Sequence, residues 1–529
     1  MGHDALAEGL GFGPPTPPTP PAPPDTAPTA SQRVAGQALW SILAKVATLA
    51  GTLGVSVLAA RMLGKDAFGV WSLARNLGTL GVLLVSAGLD RALLRFVPEL
   101  EALGSQAGAR RLVRTVLLLQ LGLWAAASAL LLLLAPLFER LFTPALLPLL
   151  PMVCLFAAAF AFKETLYQIH FALARARVLA IATTVTGLGW LGLTAVWLRA
   201  GGGAGAVLAA QSVALLAAVV MLLPSLRRAL AAIPQRGTAV IARRRLGAYA
   251  GSQVGSSLVN LIVQRQSEIY FLAAVASPAV VGFYDLAYSL PQLGLELLPL
   301  SLYAVVLAAM TATVHRDPSR LASLVGWYYK LLAAVTLPFA LLGVAWADRA
   351  VVLLYGPEMA PAGDLARIFS LVHLLPFVSL PVGAALNVTE RSHRTLRFGL
   401  AQVGVNLALD VLLIPRYQVA GAVAAVVLSF LLVTPLTLRY AVRQTGPLEF
   451  PWRWILRLAA GLSLGLLPAL ARPWLTGGWG LAIGVSAALP LMLLGVRLSG
   501  VLGSEERYRL RTTAYPGRRW VLPLLGVAR

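Results

Sequence analysis

The sequence is poor in charge and nearly empty of the residues most often used for chemistry. Only 12% of its 529 residues are charged, with 21 acids, five histidines and a single cysteine, Cys154. One cysteine excludes both a disulfide framework and a thiolate metal site within one chain, and its apolar surroundings make it filler. His3 lies near the N-terminus, His315 and His393 in basic loops, and His170 and His373 stand alone, so no HExxH or other paired ligand spacing occurs. A GxxxxGK[ST] phosphate loop is also missing, which argues against a self-contained ATP-driven pump. No catalytic residue, metal or cofactor is expected, and the chain does not read as an enzyme. The first 32 residues lack the basic start and apolar core of a signal peptide; the run from Pro14 to Pro24, nearly all proline and threonine, predicts a disordered tail instead. That tail is either a linker or a docking site for a partner with a proline-binding groove.

What the sequence has in abundance is apolar residues, 58% of the total, with a mean hydropathy of +0.78. A helix needs about 20 apolar residues to cross the hydrocarbon, and such runs follow one another from Gln37 almost to Gly500. The reading is an all-α integral membrane protein with about fourteen transmembrane helices. The second is expected over residues 68–96. The net charge of +22 sits in short clusters between apolar runs rather than on a basic domain, so nucleic acid is not an expected partner. With the N-terminus inside and the helices alternating, the loops on the cytosolic side carry Arg91, Arg95, Arg110, Arg111 and Arg114, then Arg227, Arg228, Arg236 and Arg243 to Arg245, and further arginines downstream. The opposite loops carry far fewer, which predicts an even helix number and both termini in the cytosol.

Sliding the chain by 213 positions lays Ala60 to Gly81 over Ala273 to Gly294, with Gly69 on Gly282, Leu73 on Leu286, Ala74 on Ala287, Leu77 on Leu290 and Gly81 on Gly294. The offset covers an even number of helices, so both copies enter the membrane in the same sense, as in two-lobed transporters. The expected organisation is a proline-rich cytosolic tail (1–32), a first six-helix lobe (33–228), a basic cytosolic linker (229–246), a second six-helix lobe (247–443), two further helices (444–500) and a basic cytosolic tail (501–529).

An ionisable group inside a spanning helix costs about 2.5–3.5 kcal/mol, so each needs a partner or a water-filled cavity. Lys45, Arg75 and Arg265 would give a central cavity a positive lining, suited to an anionic substrate. Glu268, Asp285 and Asp410 are the candidates for ion coupling. Arg265 and Glu268, three apart on one helical face, either neutralise each other or serve substrate or ion. Lys163 and Glu164 read as structural, and the tryptophans near helix ends as an interfacial belt.

Three stretches then resemble a known family. They are ARMLGKDAFGVWSLARNLGTLGVLLVSAGLDRALLRFVPE (Ala60 to Glu99), EIYFLAAVASPAVVGFYDLAYSLPQL (Glu268 to Leu293) and LNVTERSHRTLRFGLAQVGVNLALDVLLIPRYQVAGAVAAVVLSFLL (Leu386 to Leu432). They are similar to the polysaccharide-export flippases of the multidrug/oligosaccharidyl-lipid/polysaccharide (MOP) exporter superfamily. The sequence departs from that family at Gln418, where glycine is usual, at Asp410, where asparagine is frequent, and at Glu268, where the acid following the basic residue is usually aspartate. The resemblance implies two six-helix lobes working by alternating access in a bacterial inner membrane. It also implies transport of a polyprenyl-diphosphate-linked oligosaccharide, with membrane lipids, glycosyltransferases and a polymerase as neighbours. Other readings are a cation-coupled small-molecule exporter of the same superfamily, a membrane-embedded polymerase or acyltransferase, and a scaffold acting through its proline-rich tail.

Overall fold

The computed structural model describes residues 30–173, 175–264, 267–389 and 392–503, so the proline-rich tail, the C-terminal tail and Arg265 lie outside the described residues. Ten helices among the described residues are long and apolar enough to cross a membrane, and the chain is a multi-pass membrane protein. In chain order the first half comprises α1 (Ala30–Ser86), α2 (Leu89–Ala102), α3 (Gln106–Leu133), α4 (Ala135–Leu141), α5 (Leu150–Ala172), α6 (Ala176–Arg199) and α7 (Ala204–Ala231). The second half comprises α8 (Arg243–Gln264), α9 (Glu268–Val275), α10 (Pro278–Arg316), α11 (Leu321–Tyr355), α12 (Ala360–Val372), α13 (Leu375–Val388) and α14 (Ser392–Thr445). A closing pair follows, α15 (Trp452–Leu462), prolonged by a 3-10 helix over Ser463–Ala471, and α16 (Gly477–Leu498).

The apolar part of α1 runs for 43 residues, which as one straight rod would be about 65 Å long, twice the hydrocarbon thickness. It is divided at Gly64, whose backbone (φ 76°, ψ 171°) is open to glycine without strain. The same division occurs in α14 at Gln418 (φ 47°, ψ −121°), but here the residue carries a side chain. Where the sequence departs from the glycine usual in the family it resembles, the fold still demands a glycine conformation, and strain of about 1–3 kcal/mol is stored. Because Gln418 is exposed, Gln418→Gly is expected to raise thermal stability in detergent by that amount; an unchanged or lower melting temperature would show the turn to be unstrained.

The second predicted helix, 68–96, ends ten residues early. Ala87 (φ 42°) and Gly88 (φ 70°) turn the chain out of the helix, and α2 restarts as an amphipathic helix. It buries Leu89, Leu93, Phe96 and Leu100 on one side and leaves Arg91 and Glu101 exposed. A run that mixes charges at this density is stable as a helix lying on others, not as one facing lipid.

The internal repeat is present in three dimensions. The helix break at Gly64 recurs at Ser277, 213 positions later, with extended backbone at Ala276 and Ser277. Just beyond each break α1 and α10 cross in close contact. A Cβ added to Gly282 would lie 3.0 Å from the Gly69 Cα, and one added to Gly69 would fall 1.8 Å from the Pro278 carbonyl oxygen. Glycine at both repeat positions is what lets the two backbones meet.

The core is distributed unevenly along the bundle. At the end holding Gly64, one hydrophobic cluster runs through both halves, from Val55, Trp71 and Phe156 to Tyr284, Phe369 and Ile414. At the arginine-rich end it splits. One cluster gathers Leu93, Val113 and Leu226 of the first half with Leu246 and Ala250 of α8, and a separate one gathers Val325, Tyr328 and Leu386 of the second half. The closing pair attaches through α16, where Gly484 packs on Trp346 of α11. Arg349 donates to the Arg472 and Leu475 carbonyls, and Arg472 pairs with Asp348.

Candidate functional site

Arg75 lies eleven positions beyond Gly64, about 16 Å down its helix. There it meets the repeat-related helix. Arg75 Nη2 donates to Asp285 Oδ2 at 2.9 Å, and the Ser72 hydroxyl donates to the same oxygen at 2.5 Å. Ser72 and Asp285 occupy equivalent positions of the repeat, 213 apart, so this bond lies where the two copies face each other. The Asp285 side chain is 4% exposed and that of Arg75 24%, so the carboxylate is sealed while the guanidinium keeps an open side. Trp71, itself buried, lies under the guanidinium at 5.1 Å, a cation–π contact that holds its plane. Tyr270 Oη donates to the Asn76 carbonyl at 2.9 Å one turn further on.

Closer to the Gly64 turn, Arg61 donates from Nε and Nη2 to the carbonyls of Leu354 and Leu353, at 2.6 and 2.5 Å. These are among the last carbonyls of α11, where the helix dipole favours a cation. The seam between Gly69, Val70, Pro278 and Val281 encloses a void of only about 10 Å³, room for one water at most. Closure at this end is therefore tight, polar and made across the two halves.

A second cluster is buried within the second half. Asn406 Nδ2 lies 3.0 Å from both Glu268 Oε1 and Asp410 Oδ2, and the Ser267 hydroxyl donates to that Asp410 oxygen at 2.9 Å. Ser429 donates to Asn406 Oδ1 at 3.2 Å. Glu268 is 2% exposed and Asp410 fully buried, and Asp410 Oδ1 has no hydrogen-bond partner among the described residues. Glu268 is the first residue of α9, and spacing of one turn stacks Asn406 above Asp410 on α14. No cluster of three or more metal-ligating side chains exists among the described residues.

The six residues singled out from the sequence thus fall into distinct places. Arg75 and Asp285 meet across the halves, Glu268 and Asp410 meet within one half, and Lys45 is exposed on α1 toward the arginine-rich end. Arg265 lies outside the described residues. The partners Ser72, Ser267, Asn406 and Ser429 were not anticipated. Asn406 carried a usable signal, a polar side chain one turn from an acid in an otherwise apolar run, and Ser72 carried another as the repeat equivalent of Asp285.

At the arginine-rich end α8 meets the first half through Leu246 and Ala250, which join its hydrophobic cluster, and through an exposed latch. Arg245 of α8 grips Glu99 of α2 in two-point fashion, at 2.6 and 3.0 Å, and lies over Phe96 at 5.0 Å. The Arg245 hydrogen bond holds the Glu99 carboxyl below its ordinary range. A carboxylate depressed in the folded state stabilises above its unfolded value and loses that contribution as pH falls through the folded one, so the latch stays closed through neutral pH.

Against known proteins, the fold is similar to two solved transporters. It matches the lipid II flippase MurJ in an inward closed conformation with a TM-score of 0.67 and 13% identity, covering 87% of this chain and 98% of that one. It matches an inward-facing multidrug resistance MATE family transporter of the MOP superfamily with a TM-score of 0.61 and 14% identity, covering 75% and 94%. By sequence it is 26% identical over 172 residues to the probable flippase AglR of Haloferax volcanii, a match spanning 32% of this chain and 36% of that relative. The family described as polysaccharide biosynthesis protein matches residues 57–362, more than half of the sequence. With that match over more than half of its length, this chain belongs to the polysaccharide biosynthesis protein family.

Proposed function

We propose that this protein moves a lipid-diphosphate-linked oligosaccharide across the bacterial cytoplasmic membrane for surface polysaccharide biosynthesis, by alternating access between two lobes (33–228 and 247–443) with both termini in the cytosol. The observation that carries this reading is the asymmetric closure, with one shared core and a glycine-on-glycine crossing at the Gly64 end and two separate cores at the arginine-rich end. A bundle built this way can part at one end while hinging at the other. Arg75 sits at the hinge side of the opening with its guanidinium partly exposed, in the position to pair a diphosphate whose lipid tail stays in the bilayer. Lys45, exposed on α1, is proposed to extend the same positive lining toward the cytosol, and Arg265, outside the described residues, is proposed as its third member on the sequence alone. When the substrate phosphate takes Arg75, the bond to Asp285 weakens, and with it the seal between the halves.

Ion coupling is assigned to Glu268 and Asp410. Two carboxyl groups this deeply buried, sharing one asparagine, need a proton or a monovalent cation between them, and the unpartnered Asp410 Oδ1 is where it would bind. Filling or emptying that site changes the packing of α9 and α14, which border the seam. Glycosyltransferases and a polymerase are the neighbours such a step requires.

The test is reconstitution with a labelled polyprenyl-diphosphate oligosaccharide, scored by its exposure to a membrane-impermeant glycosidase. The expected result is protein-dependent flipping accelerated by an imposed proton or sodium gradient, and a Glu268→Gln/Asp410→Asn variant that has lost the gradient response. Flipping no faster than in empty vesicles, with a lipophilic cation exported instead, would overturn this reading in favour of a small-molecule exporter.

A further inference from the structure

At the arginine-rich end of the first half, away from the seam between the halves, α3 and α7 flank an open cavity of about 540 Å³. Its rim carries Arg110 and Arg114, one helical turn apart on α3, and Arg227 from the penultimate turn of α7. Its floor is apolar, made by Val113, Leu117 and Leu230. All three arginines are exposed. Among the described residues none of the three makes an ion pair or a side-chain hydrogen bond, whereas other arginines of this end are occupied: Arg245 by Glu99, Arg320 by Asp317, and Arg177 by the ring of Trp40. Like charges one turn apart repel, and a third guanidinium across the cavity adds to that cost unless an anion lies between them.

We infer that this cavity is a binding site for an anionic phospholipid of the cytosolic leaflet carrying two phosphates, the cardiolipin class. Three guanidinium groups lining one cavity match a doubly charged headgroup better than a single phosphodiester, and a basic pocket between helices on the cytosolic side is the usual setting for such headgroups. The apolar floor continues onto the lipid-facing surface of α3, where Leu118 is 57% exposed, so acyl chains leave the pocket directly into hydrocarbon. The positive end of the α3 dipole points the same way.

The site has a consequence for the lobes. Leu230 is followed at once by the linker that joins them, and that linker is pinned to the base of α3. Gln106 Nε2 donates to the Ala231 carbonyl, Ser105 Oγ to that of Ala239, and the Arg236 amide to that of Gly104. A lipid bridging Arg227 to Arg110 and Arg114 therefore clamps the root of the linker.

The inference goes beyond the transport reading, and binding is measured whether or not the protein transports. Purified full-length protein is delipidated in detergent and titrated with cardiolipin, with phosphatidylcholine and with inorganic phosphate, following bound lipid by native mass spectrometry and unfolding by melting temperature. Cardiolipin is expected to bind and raise the melting temperature, the other two to do neither. Each of Arg110→Gln, Arg114→Gln and Arg227→Gln should weaken binding about fivefold and the triple variant about a hundredfold. Arg439→Gln/Arg443→Gln, at the same end on α14, should bind as wild type. Equal protection by inorganic phosphate would mean a free-anion site, and equal binding by the single variants or by phosphatidylcholine would mean unspecific lipid; either result overturns the inference. The single variants alter exposed side chains only, so the comparison stands even if the triple variant does not fold.

Discussion

Arg75→Ala is expected to abolish flipping and to destabilise the protein by about 3–5 kcal/mol, the cost of leaving a buried carboxylate without its partner. Asp285 is shielded from solvent, its side chain being 4% exposed, and its remaining donors, the hydroxyls of Ser72 and Ser289, are neutral. The two effects separate in a second variant. Arg75→Gln/Asp285→Asn removes both charges at once and keeps a hydrogen bond possible across the seam, so its melting temperature should return close to that of the wild type. Flipping should not return, because a glutamine amide lacks the charge and the fork that pair a diphosphate. If the double variant flips substrate at the wild-type rate, the pair is structural and the substrate role of Arg75 is lost.

The second large effect is expected at a position without any chemistry. Gly69→Ala adds one methyl group, and its carbon would lie 1.8 Å from the Pro278 carbonyl oxygen and 2.4 Å from the carbonyl carbon. No side-chain rearrangement relieves a clash with backbone, so α1 and α10 must separate. The two buried clusters at the arginine-rich end lie away from this crossing, so the protein should still fold and insert. What it should lose is the closed seam, and transport with it by at least about tenfold, since alternating access needs both ends to close in turn. A cysteine at Val281, 1% exposed in the closed seam, reports this directly on a Cys154→Ala background. An impermeant maleimide should label Val281→Cys readily beside Gly69→Ala and poorly without it. Equal labelling in both would mean that the crossing relaxes without opening.

Much of this architecture is legible before any coordinates. Hydropathy shows a multi-pass chain, and the glycines repeated at 69 and 282 mark the helices that come together. Acids and bases in apolar runs narrow the candidate residues to a few. The pairing of those residues is another matter. Arg75 and Asp285 were assigned to different tasks, substrate and ion, yet they form one ion pair; Glu268 was weighed against Arg265, which lies outside the described residues, and among the described residues Glu268 accepts from Asn406, 138 positions away. Sequence distance carries no information about such contacts, because helices packed side by side bring together residues from any part of the chain. The end of the helix at Ser86 was missed for a different reason. Leucines continue at helical spacing past Gly88, and only a left-handed backbone at Ala87 and Gly88 turns that run out of the bundle.

By itself, then, the sequence determined the solvent and the helical architecture, since its apolar runs have the length of spanning helices and a helix satisfies its backbone groups in lipid within the run. Only the tertiary structure decided which charges neutralise each other, which remain open to a phosphate, and at which end the halves are sealed. Those depend on side-chain contacts between helices, a matter of a few ångströms that no periodicity encodes.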